Sequence, residues 1–120
     1  MPNPDDDIKP LLQTGKKREA LSWLREFGEK NMRNIGEMEP SASLAIVQKL
    51  YEMGAREVIA TQINSWEGYG ENTDYVVIVL PEGEAARKKF FGYEAQRANE
   101  MGYAPTPDHG QKLMLLGYKD

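Results

Sequence analysis

Thr73-Asp74-Tyr75-Val76-Val77-Ile78-Val79-Leu80-Pro81 is the stretch on which the fold turns. Five of its residues are β-branched, Pro81 stops it, and at this length it reads as a strand. Successive strand residues point to opposite faces. Tyr75, Val77 and Val79 therefore take one face, and Val76, Ile78 and Leu80 the other. The same alternation recurs in Gln111–Tyr118, where Leu113 and Leu115 oppose Met114, Leu116 and Tyr118. Both faces of the sheet are apolar. Each face carries about five large side chains, worth roughly 1.5–3 kcal/mol apiece when buried. A wet face would forfeit about 7–15 kcal/mol, as much as the whole stability of an ordinary domain. Both faces must be covered.

Outward from this stretch the period changes. Glu82–Met101 reads as a long helix, with glutamates in its first turn where the helix dipole favours them. Upstream, Glu57–Ile63 is a strand and Asn64–Asn72 a long hairpin loop holding Gly68 and Gly70. Pro40 and Ser41 open a helix that runs to Met53 and ends at Gly54. Lys16–Met32 carries Ala20, Leu21, Trp23, Leu24 and Phe27 at helical spacing. Ile8–Gln13 adds a short helical turn at most. Residues 1–15 then read as a flexible acidic tail. Residues 16–120 read as a single α+β domain, with residues 16–38 its N-terminal helix and linker.

The order is α-α-β-β-α-β. The first two strands form an antiparallel hairpin, and a right-handed crossover through Glu82–Met101 would set the last strand parallel to Thr73–Leu80. The expected fold is a small three-stranded α+β sheet. A strand fitted between these two would make it a ferredoxin-like variant. The one candidate, Met32–Met38, is too polar for a central strand. The helices 41–53 and 82–101 cover one face. The other falls to the helix 16–32, a second subunit or a ligand.

Composition removes several chemistries. Among 120 residues there is no cysteine and one histidine, which excludes disulfides, thiolate sites, thiol catalysis and multi-histidine metal centres. Lys and Arg number 15 against 19 Asp and Glu, a net charge of −4. That sign opposes duplex nucleic-acid binding. The longest apolar run, Tyr75–Leu80, is far too short to span a membrane. With no export signal at the start, the expected compartment is the cytoplasm. Asp5, Asp6 and Asp7 lack the spaced, folded ligands of a cation site.

Four features could carry chemistry or binding. Glu82-Gly83-Glu84 sits at a strand–helix turn, where carboxylates would shield the helix amides from an anion. Trp66 and Tyr69 stand between acids in the hairpin loop, a candidate tip for a protein partner. Gly68-Tyr69-Gly70 there lacks a third glycine and a following helix, so it is no dinucleotide fingerprint. Asp108-His109-Gly110 pairs a histidine with a carboxylate, without a nucleophile beside it. On the long helix, Arg87, Glu94 and Arg97 fall within the apolar arc, so one carboxylate could bridge two guanidinium groups. The preferred reading is a non-enzymatic module that associates with itself, as a homodimer, or with another protein, and uses no cofactor. The alternative is a ligand-binding protein or enzyme with a polar pocket near Arg87, Glu94, Arg97 and His109.

Overall fold

The computed structural model describes residues 4–26, 32–66 and 70–118. Four helices occur among them: α1 (Pro4–Gln13), α2 (Ala20–Arg25), α3 (Pro40–Glu52) and α4 (Glu84–Met101). The strands are β1 (Arg18–Glu19), β2 (Arg33–Ile35), β3 (Glu57–Thr61), β4 (Asn64–Trp66), β5 (Gly70–Thr73), β6 (Tyr75–Val79) and β7 (Leu113–Gly117). They form two small sheets, ordered β1-β3-β6-β7 and β2-β5-β4. The fold is α+β, with helices packed on a sheet.

The larger sheet is antiparallel throughout. Val58, Ile78 and Met114 lie in register, as do Ala60, Val76 and Leu116. These six side chains make one face, and all are buried. Trp23 and Leu24 of α2, Val47 and Leu50 of α3, and Phe90 of α4 pack on it as one core. Ile59, Val77 and Leu115 begin the second face.

The last strand is antiparallel to β6, not parallel, and no strand lies between them. The cause is the return path after α4. Gly102 ends the helix in the left-handed conformation. The chain then retraces the helix. Thr106 N–H reaches Glu94, Asp108 reaches Arg87 in the first turn of α4, and Leu80 N–H donates to Lys112 C=O at 2.7 Å. Helix and loop together bring the chain back to the end of β6 that it left, so β7 must run the opposite way. Pro105 and Pro107 keep this return extended.

A second correction concerns the start of the chain. The segment read as an acidic tail holds α1. Its three aspartates occupy the first turn, where the dipole favours them. Ile8, Leu11 and Leu12 then recur at i, i+3 and i+4. Asp5 is buried, accepting from Lys112 N–H at 3.0 Å and Leu113 N–H at 2.9 Å. Gln62 Nε2 fixes the other end by donating to Thr14 C=O at 2.8 Å. So α1 lies along β7 on the second face. The helix expected over Lys16–Met32 is cut to Ala20–Arg25 and packs on the first face instead. Glu19 takes the N-cap position, accepting from Leu21 and Ser22 N–H, while its own backbone pairs with Ile59. Residues 27–31 lie outside the described residues. Cover of the second face is thinner. Val77 is fully buried, Ile59, Val79, Leu113 and Leu115 are half-buried, and Tyr75 is 41% exposed.

The expected hairpin loop Asn64–Asn72 is instead the antiparallel pair β4–β5 of the second sheet. Arg33–Ile35, read as linker, is its third strand, parallel to β5. Gly70 permits this. It sits at φ +99°, and a Cβ there would collide with the Met32 carbonyl, so only glycine lets β5 pass so close.

Candidate functional site

A cleft of about 530 Å³ runs along the outer edge of β7. Phe91, Met101 and Tyr103, from α4 and the loop after it, form one wall; Asp7 and Ile8 of α1 form the other, with Leu113 and Leu115 between. The lining is mostly apolar. Tyr103 stands at the mouth, 43% exposed.

The edge itself carries unused backbone groups. Tyr118 N–H donates to Asp74 C=O at 2.8 Å. In the β6–β7 register, Met114, Leu116 and Tyr118 therefore turn their main chain toward β6, as Lys112 does its C=O. Leu113, Leu115 and Gly117 turn theirs outward. Two of these groups are taken by side chains: Asp5 caps Leu113 N–H, and Arg97 donates to Gly117 C=O at 3.0 and 3.3 Å. Between the caps, the N–H and C=O of Leu115 have no partner among the described residues.

Of the residues proposed from sequence for a polar pocket, Glu94 alone lines this cleft. It is 2% exposed, and both its oxygens accept from Thr106 N–H at 3.1 Å. It bridges no guanidinium. Arg87 pairs with Asp108 at 2.6 Å, stacks on Phe91, and lines a separate cavity of about 350 Å³ with Arg56 and Lys112. Its hydrogen bond, with that of Gly110 N–H, holds the Asp108 carboxyl below its ordinary range. Arg97 stacks on Tyr118, 4.2 Å from the ring centre. His109 is exposed, and its main-chain N–H donates to Gln111 at 2.7 Å. The four residues do not converge. Trp66 enters β4 through its main chain; Tyr69 lies outside the described residues.

A second cluster was hidden from sequence reasoning. Glu71 of β5 accepts from Trp23 Nε1 at 3.0 Å, Ser65 Oγ at 2.8 Å and Lys16 Nζ. Arg33 Nε stands 3.1 Å away in an ion pair, off the line of a hydrogen bond. Burial opposes ionisation of Glu71, but the Lys16, Trp23 and Ser65 donors overcome it and bring its pKa down to about 2. Three hydrogen bonds and the Arg33 ion pair, all from this chain, converge on Glu71, so the cluster is a structural clasp between the N-terminal segment and the second sheet.

Among the described residues, no group of three or more His, Asp or Glu is placed to hold a metal ion. No helix among them is long and apolar enough to cross a membrane. No protein-family model, curated protein or solved structure matches this chain.

Proposed function

We propose that this chain is a binding module whose working surface is the cleft beside β7. The observation that carries the reading is the cleft's combination of size and lining: about 530 Å³ of largely apolar wall beside an edge strand with unused hydrogen-bonding groups. Concave, mostly apolar sites with a few convergent polar groups are where small molecules and peptide segments bind. Glu94 brings a buried carboxyl group to this site, but Thr106 N–H already engages both its oxygens, which favours a positioning role. Association rather than catalysis is therefore the reading adopted, and no cofactor is assigned.

Titration with the neutral apolar dye Nile red tests it. The wild-type chain brightens the dye saturably. Met101→Trp fills the cleft from the half-buried end of α4 and removes most of that signal while leaving the circular dichroism unchanged. Equal brightening by both proteins defeats the proposal.

Self-association is a second reading, favoured by Tyr75. It is 41% exposed, on the face where Ile59 and Val79 are only half-buried. Sedimentation velocity over a hundredfold concentration range tests it. A concentration-dependent dimer that Tyr75→Lys abolishes supports it, and a monomer throughout overturns it.

A further inference from the structure

We infer that the cleft receives an extended peptide segment of another protein, which adds to β7 as a short antiparallel strand across Leu115. The inference rests on the binding reading above and deepens it by naming the occupant. Three observations point to a main chain rather than a compact small molecule. First, Leu115 offers one donor and one acceptor side by side on the outer edge. That is the pair of groups with which an antiparallel residue exchanges two hydrogen bonds. Second, Leu113 C=O and Gly117 N–H, on either side, also face outward without a partner among the described residues. A strand in antiparallel register meets all four groups at once. Third, the edge is closed at both ends, by Asp5 on Leu113 N–H and by Arg97 on Gly117 C=O. These caps leave a window of about 13 Å, room for three or four paired residues and no more.

The walls choose among possible strands. An edge strand from a second folded copy would have to carry its own α1 and return loop past Tyr103 on one side and Ile8 on the other, the residues that line the cleft. A free segment of chain has no such bulk. Its alternate side chains would point toward Phe91 and Met101 on one wall and toward Ile8 and Asp7 on the opposite one. Asp7 is exposed at the rim, Glu94 lines the cleft, and the chain carries a net −4. The favoured segment therefore has an apolar residue next to a lysine or arginine.

Selection of a random heptapeptide library on the immobilised full chain tests this. Enriched peptides should carry the apolar–basic pairing. In amide hydrogen exchange monitored by NMR, the best of them should slow the Leu115 N–H. Methylating the nitrogen of the peptide residue facing Leu115 should weaken binding about five- to tenfold, the worth of one main-chain hydrogen bond. Methylation without effect overturns the strand-addition claim and leaves the cleft as a site. Failure to enrich any peptide, in a protein that binds Nile red, also overturns the claim without touching the binding reading. Failure of both removes the two together. A Leu115 N–H already protected in the free protein, more so at higher concentration, would show that the edge pairs with a second copy and would equally overturn the claim.

Discussion

The indole Nε1 of Trp23 donates to Glu71 Oε1 at 3.0 Å, joining residues 48 positions apart in the chain. One end of this bond is the largest fully buried side chain of the core, and the other is the middle of the second sheet. It makes the packing of α2 and the placement of β5 a single event.

Glu71→Gln keeps the shape and removes the charge. It leaves Lys16 without its counter-ion and Arg33 with Glu26 alone, so the expected loss is about 2–3 kcal/mol at neutral pH. The carboxylate is depressed from 4.5 to about 2 on folding, so its contribution is complete above pH 4.5 and disappears as pH falls from there toward 2. Urea denaturation at pH 7 and pH 3 should show the gap between wild type and variant narrowing at the lower pH. A gap independent of pH would refute the assignment.

Tyr51 Oη donates to Glu19 Oε2 at 2.5 Å and accepts from Val58 N–H at 3.0 Å, tying the end of α3 to the cap of α2 and the start of β3. Tyr51→Phe should cost about 1–3 kcal/mol. Burial, reinforced by the Glu19 carboxylate, pushes the phenol from 10 up to about 12. Its stabilisation is whole below pH 10 and is lost as pH rises from 10 to 12. Denaturation curves across that alkaline window should converge for the two proteins.

Asp5→Asn halves the acceptor strength at the two amides that open β7. A loss of about 1–2 kcal/mol is expected. Hydrogen exchange localises it: the Lys112 and Leu113 amides should exchange faster, while those of α3 stay unchanged. Uniform acceleration across the molecule would mean that Asp5 acts only through global stability.

Glu94→Ala removes the one side chain among the described residues that holds Thr106 N–H in the return loop and opens a void beneath it. About 2–4 kcal/mol is at stake. The decisive reading is Thr106 exchange and proteolysis between Tyr103 and Gly110. If that segment stays protected, the loop is held by Arg87–Asp108 and by Gln111, which bonds Pro107 C=O and His109 N–H, rather than by Glu94.

Much of this was readable in the chain. The helices expected over 41–53 and 82–101, and found over 40–52 and 84–101, and the central strands followed from hydrophobic period and from proline and glycine stops. Buried Val76, Ile78 and Leu116 followed from alternation. The errors share a cause: each came from a tertiary partner outranking a local pattern. Lys16–Met32 has a helical period, yet Arg18 and Glu19 pair with β3 and Glu19 caps the helix. Arg33–Ile35 looks like linker because its partner, β5, lies in a polar stretch held together by the Asn72 amide, which donates to Asn34 and Gly36 C=O, and by the Glu71 cluster. Asp5–Asp7 looks like tail because nothing local shows that β7 presents bare amides to it. The cleft was hidden for the same reason. Its residues were legible as apolar, but only the antiparallel return of β7 makes that strand an edge beside α1. Asp108 and Thr106, which direct the return, carry no periodic signal.

The contact between Asp5 and Leu113 spans 108 residues. During synthesis α1 is made long before the strand that will carry it. With ten residues and Pro10 inside it, α1 is too short to persist as a helix on its own. It must wait as unstructured chain until β7 leaves the ribosome, and the second face of the sheet stays bare meanwhile. The interval between those two moments is when the nascent protein is most open to aggregation through Tyr75, Val77 and Val79.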